Sequence, residues 1–261
     1  MSMDQVTFVT KPNKKATLVE QKLRDEMKLQ GFTPTINTVF AIGGDGTLLK
    51  AIRDHIDSAG LFVGISAGTL GFLQATETED IPNLVAALRD KTYSTIAAPL
   101  LAARDTTGTI GYAFNDISIE RLGARAAKFS LQIGHSPGNF VGDGVIFATP
   151  LGSTAYSLAS GGPIIDSHLQ DVFVITPNNP HVSSQYSSLQ RPHVMQGDRV
   201  VAVMIDSQTV AERPLQVIFD GYSQPLTQGL EIFLSSKKVQ LLQLSSEGFH
   251  NRIEDKRLGR S

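Results

Sequence analysis

The chain has 261 residues, a formal net charge of −2, 41% hydrophobic and 18% charged residues, and no cysteine. That balance describes a globular protein of one large or two modest domains, and it excludes disulfides, thiol nucleophiles and cysteine-based zinc sites. The near-neutral charge argues against a bulk nucleic-acid binder, and no apolar run nears the roughly 20 residues of a membrane helix.

The opening "MSMDQVTFVTKPNKK" lacks the charged-then-apolar pattern of a secretory leader, so a cytoplasmic protein is expected, with neither nucleic acid nor membrane as partner. "QVTFVT" (5–10) predicts a strand. Helical spacing over 14–30 follows at Leu18, Leu23, Met27 and Gln30, stopping at Gly31. "TVFAI" (38–42) is apolar throughout, as suits a strand buried on both faces. Leu48, Leu49, Ile52 and Ile56 then fall on one helical face. "LFVGI" (61–65) predicts a third strand, and "DIPNLVAALRD" (80–90) a third helix with Asp80 as N-cap and Pro82 in its first turn. Strand and helix in alternation imply parallel strands with right-handed crossovers.

Beyond about residue 96 the period shortens toward two. "FNDISIERL", "AKFSLQIG", "RVVAVMID" and "LQVIFDG" read as alternating strands. One exception, "GSTAYSLASGGPIID" (152–166), predicts a helix leading into a glycine turn. The fold class expected is an α/β N-terminal nucleotide-binding domain plus a β-rich, mostly antiparallel C-terminal domain. Their expected extents are 1–96, with about 236–261 packing back on it, and 97–235. Ligands favour the places where such domains meet.

Three motifs carry chemistry. In "FAIGGDGTLLKA" (40–51) a strand, a glycine turn and a helix start place N–H groups around a small volume, the physical recipe for holding phosphate. Neither the Walker pattern nor G-x-G-x-x-G fits. Asp45 would repel a bare phosphate, so either Mg²⁺ lies between them or the carboxylate faces a hydroxyl it deprotonates. Both are phosphoryl-transfer roles, and a tight turn with Asp45 capping the helix is the plain structural alternative. "GISAGTLGFL" (64–73) is a second glycine loop, and its first residues also fit G-x-S-x-G with Ser66 as nucleophile. The longest motif, "GDGVIFATPLGSTAYSLASGGP" (142–163), joins a second glycine-flanked carboxylate, Asp143, to small hydroxyl residues and Tyr156, which suit a flat ligand with polar edges. The histidines add little: His55 reads as a surface or half-buried residue, and His181 and His193 lack metal-ligand spacing.

Taken in order and spacing, GGDGT, "GISAGTLGFL", "FNDISIER" (114–121) and "GDGVIFATPLGSTAYSLASGGPII" closely resemble the blocks of the NAD kinase family, covering roughly residues 39–165. GGDGT by itself is shared with lipid kinases and phosphofructokinases. The resemblance implies transfer of phosphate from ATP or polyphosphate to the 2′-hydroxyl of the adenosine ribose of NAD, giving NADP. It implies a divalent metal, most simply Mg²⁺ held by the donor phosphates with no protein ligand, and a homodimer or homotetramer. Asp45 becomes the general base and an NAD contact. Gly43, Gly44, Gly46 and Thr47 become phosphate contacts, with Lys50 adding positive charge. Gly46, Asn115, Asp116, Asp143, Thr154, Ala155, Tyr156, Ser157, Leu158 and Ala159 become NAD-binding residues, and Leu70 and Phe72 line the pocket.

The chain departs from the family pattern at several places. Asp116 stands for Glu, Ser66 for the common Asn, Val141 for a frequent Arg and Tyr222 for a frequent Gln, and an insertion precedes Arg191. These bear on substrate preference more than on reaction type. Two rival readings are a lipid kinase sharing GGDGT and a non-catalytic NAD(P)-binding regulator.

Overall fold

The structure, a computed structural model, describes residues 6–68, 71–134, 136–182 and 189–244. The chain divides into two compact units, Met1–Ala98 with Val239–Ser261, and Pro99–Lys238.

In the first unit β1 (Val6–Thr10), β2 (Thr38–Gly43) and β3 (Leu61–Ser66) pair in parallel, with Phe8 opposite Phe40 and Ile42 opposite Ile65. All residues of β2 and β3 are buried, which is why both read as unbroken apolar runs. α1 (Lys14–Leu29) starts at Asn13, whose side chain accepts the N–H of Ala16 at 2.8 Å, and ends before Gly31 at φ +60. It buries Ala16, Val19, Leu23 and Met27, whereas Leu18, expected on that face, is 62% exposed. Leu23 and Met27 lie on the buried stripe as predicted, and only at its start do Ala16 and Val19 take the place of Leu18. α2 (Asp45–His55) buries Leu48, Ala51 and Ile52, with Leu49 and Ile56 half-buried. A short β4 (Thr76–Glu77) pairs with the end of β3, and α3 (Ile81–Asp90) follows with Pro82 in its first turn. Asp80 precedes it without capping its N–H groups, accepting instead from the amide of Asn83.

The second unit is antiparallel. One sheet runs in the order β12 (His193–Gln196), β11 (Val172–Asn178), β10 (Gly144–Ala148), β7 (Asp116–Arg121), β14 (Leu215–Phe219) and β15 (Tyr222–Leu226). The other set pairs β9 (Ser136–Gly142) with β8 (Ala127–Ile133), β8 with β13 (Val200–Met204), and β13 with the first part of β16 (Leu230–Gln243). β5 (Ser94–Asp105) pairs with β6 (Gly108–Ala113). Alternate residues fill one core, including Ile117, Ile119, Phe129, Phe140, Phe147, Phe173, Val217 and Ile232. Each such side chain, taken fully out of water, stabilises the unit by roughly 1.5–3 kcal/mol. The unit boundaries fall inside β5 and β16, so both strands run from one unit into the other; near its end β16 sets Leu241 beside Phe62 of β3.

The stretch 152–166, expected as a helix leading into a glycine turn, follows that order with a short helical part. A 3-10 turn at Gly152–Thr154 leads to the single turn α4 (Tyr156–Ala159), and the glycines at 161 and 162 then end it. The last helix, α5 (Ser207–Glu212), is capped by Asp206. Residues 245–261, most of the predicted C-terminal segment, lie outside the described residues.

Candidate active site

In the first unit the site is built where β2 ends. Gly43 is required there because a Cβ would stand 2.3 Å from Oγ1 of Thr47. Gly44 is the N-cap of α2 and Asp45 its first residue, so the carboxylate stands at the positive end of the helix dipole. Both carboxylate oxygens are engaged: Oδ2 accepts the N–H of Phe72 and Oδ1 that of Leu73, each at 3.1 Å, and Nε2 of Gln74 reaches Oδ1 at 3.3 Å. The 71–74 segment thus grips Asp45. Gln74 is buried and packs on Gly64, where a Cβ would come 2.6 Å from Oε1, which explains a glycine inside a strand. Gly44 and Gly46 are exposed and face open space, the bare backbone that close approach of a phosphate needs. Lys50 turns the other way, its ammonium pairing with Asp54 one turn further along the helix. Phe72 is half-buried, and Leu70 lies outside the described residues. Ser66 is 1% exposed at the end of β3 and receives the N–H of Gly68, and the next described element is the strand β4. That is not a nucleophile elbow.

In the second unit a further group of candidate residues gathers on the polar face of β7. Asp116, Ser118 and Glu120 share that face by the period of two. Asp116 is 7% exposed and accepts the backbone N–H of Tyr156. Burial, then the nearby charges of Asp220 and Glu120, push its carboxyl up to about 7. The Tyr156 phenol accepts from Nδ2 of Asn178 at 2.9 Å and bonds Glu120; burial and that carboxylate push it up to about 12. Asn115 is half-buried, and its carboxamide makes no hydrogen bond to any described residue, leaving donor and acceptor for a ligand.

Asp143 sits between β9 and β10. Its Oδ2 accepts from Asn179 at 2.8 Å and its Oδ1 from Nε of Arg121 at 2.6 Å, and these partners hold the carboxyl below its ordinary range. The Thr154 hydroxyl donates to the carbonyl of Leu151, and the Ser157 hydroxyl pairs with Thr176. Ala155 and Leu158 are half-buried and Ala159 exposed beside them.

Sequence reasoning missed Glu120, Asp220, Arg121 and Asn178. The alternation of Asp116, Ser118 and Glu120 was a usable signal for the first, whereas Asp220 comes from a hairpin 104 residues beyond Asp116. Among the described residues no group of three or more His, Asp or Glu is placed to cage a metal ion. No described helix is long and apolar enough to cross a membrane.

By fold, the chain is of the class represented by two solved kinases. Yeast NADH kinase complexed with NADH superposes with a TM-score of 0.79 at 19% identity, over 97% of this chain and 87% of that one. An NAD kinase from Archaeoglobus fulgidus in complex with ATP gives 0.75 at 20%, over 96% of each. The family model of the ATP-NAD kinase C-terminal domain matches residues 115–244. An NAD kinase of Caldicellulosiruptor saccharolyticus is 32% identical over 97% of this chain and 92% of its own length. An NAD kinase of Chlorobaculum tepidum is 34% identical over 82% of this chain and 73% of its own. The chain belongs to the NAD kinase family.

Proposed function

We propose that the protein phosphorylates the 2′-hydroxyl of the adenosine ribose of NAD to give NADP. The observation that carries the reading is Asp45, a carboxylate oriented by two backbone N–H groups at the opening of α2 between two bare glycines. The ribose oxygen attacks the terminal phosphorus of the donor, the bond to the leaving diphosphate breaks, and the hydroxyl proton passes to Asp45. No covalent intermediate is needed. General-base assistance of this kind is worth about 10²–10⁴ in rate, and positioning supplies much of the remainder.

Gly44, Gly46 and the N–H groups of the first turn of α2 receive the donor phosphates, while Asn115, Asp116 and the Tyr156 turn receive the nucleoside. The divalent metal, Mg²⁺ in the simplest case, arrives as part of the donor complex and offsets phosphate charge. ATP is the donor of choice, with inorganic polyphosphate as the other. A cytoplasmic homodimer or homotetramer completes the proposal.

The test is direct. Purified protein is incubated with NAD, Mg²⁺ and either ATP or polyphosphate, and NADP is assayed. NADP formation with at least one donor is expected; none with either overturns the function.

A further inference from the structure

Asp220, two residues before Tyr222, was given no role by the sequence, yet it organises the Asn115–Asp116 pair. It stands at the tip of the β14–β15 hairpin with φ +47, followed by Gly221 at φ +83, the conformation of a tight two-residue turn that Asp-Gly adopts at little cost. Its Oδ2 accepts the N–H of Phe114 at 2.7 Å, and its Oδ1 accepts those of Asn115 at 2.8 Å and Asp116 at 3.1 Å. Its own N–H donates to the carbonyl of Asp116 at 3.1 Å. Three successive N–H groups converging on one carboxylate form an anion-binding nest whose occupant is part of the chain. On its other side, the Asn115 carbonyl accepts the N–H of Thr149 at 2.9 Å. Gly152 packs there too, and a Cβ on it would stand 1.9 Å from that oxygen. The Asn115 backbone is clamped from both sides while its carboxamide is left to a ligand.

We propose that Asp220 is a positioning residue for nucleotide binding, fixing Asn115 and Asp116 so that their side chains meet one ribose as a preset pair. The inference deepens the NAD kinase reading and takes only the identity of the ligand from it. It has a second consequence. The titratable groups that face Asp116 are Asp220 from the hairpin, Glu120 from its own strand and Tyr156 from α4, while Ala148 lies opposite on β10. An ionised Asp116 is the better acceptor for a ribose hydroxyl, so affinity for NAD rises with pH as Asp116 ionises. Neutralising Asp220 removes one of the charges that oppose this ionisation, and the rise moves to lower pH. A role confined to bracing the fold would not move it.

The experiment compares the full-length protein with Asp220→Asn and Asp220→Glu, measuring NAD affinity by calorimetry, and KM and kcat, from about pH 5.5 to 8.5. Asp220→Asn is expected to raise KM for NAD about tenfold with kcat within about threefold, since binding in ground and transition states is lost alike. Its pH midpoint of NAD affinity is expected to fall by at least about half a unit. A folded Asp220→Asn with unchanged KM and unchanged midpoint overturns the proposal. If that variant does not fold, Asp220→Glu decides: because it keeps the charge but displaces the carboxylate by one methylene, a raised KM for NAD supports the positioning role, and an unchanged KM overturns it. A wild-type protein that binds no NAD overturns the function proposed above and this inference with it. Normal wild-type behaviour beside an unaltered Asp220→Asn overturns the inference alone.

Discussion

A β-carbon on Gly71 would stand 2.4 Å from Oδ1 of Asp45, so the carboxylate occupies the space that any other residue would fill at position 71. Gly71→Ala must push the carboxylate away from the N–H groups of Phe72 and Leu73 while leaving the cores untouched. Turnover is expected to fall about 100-fold, as for a base misplaced by an ångström, with thermal stability little changed. NADP formation and a melting curve on the same sample check this; unimpaired turnover would show that the grip on Asp45 is unimportant.

Asp45→Asn keeps the shape but loses the proton acceptor. Because both oxygens of Asp45 accept N–H groups, the new amide nitrogen must face one of those donors. A loss of about 10²–10⁴ in single-turnover rate is expected, with NAD still bound. Stability should also drop by about 1–3 kcal/mol for the donor left unpaired. Near-normal turnover would remove Asp45 as the base.

Gly46→Ala is the contrasting substitution, because nothing lies within 4 Å of where its Cβ would go and the position is in the first turn of a helix. Folding should be unaffected or better by up to about 1 kcal/mol. KM for the phosphoryl donor should rise severalfold if phosphate uses that open space. Donor titrations at saturating NAD measure it, and an unchanged donor KM would move the phosphate elsewhere.

Asp116→Asn tests the buried carboxyl through stability. Its acidity is weakened in the fold, so protonation favours the folded state. That contribution is fully present below the ordinary carboxyl value of 3.8 and is lost as pH rises through about 7. The variant should therefore gain on the wild type between pH 4 and pH 8, by on the order of 2–4 kcal/mol. Denaturant unfolding at the two pH values reads the difference; a constant offset would show that Asp116 ionises normally.

Gly152→Ala places its Cβ 1.9 Å from the backbone oxygen of Asn115, an atom that no side-chain rotation can move. A loss of about 3 kcal/mol or more is expected, with NAD affinity falling together with stability. Chemical unfolding and calorimetry on one preparation check both. A stable variant with normal affinity would mean that the 152–154 turn is free to shift.

Much of the first unit is legible in the sequence because its signals are local. β2 and β3 are unbroken apolar runs, and α1 carries both its Asn13 cap and its terminal Gly31 within the helix's own neighbourhood. The error at Leu18 in the α1 stripe comes from weighting it above its smaller neighbours Ala16 and Val19, which burial selects. The helical part of 152–166 is shorter than its composition suggests, for a different reason. Its small residues have good local propensity, but Ser153, Ser157 and Gly162 are committed to close contacts with Ile165, Thr176 and each other, and these leave room for only one turn.

The sequence by itself determined the class of each unit and the presence of Asp45 between glycines, because strand periodicity, caps and glycine turns act over a few residues. Only the tertiary structure decided what holds those groups. Gln74 and the N–H groups of Phe72 and Leu73 reach Asp45 from across 27 to 29 positions. Asp220 reaches Asn115 across 105, and Arg121 reaches Asp143 across 22. Hydrogen bonds fall off within a fraction of an ångström, so their partners are set by which strands come to lie side by side. No spacing along the chain announces that in advance.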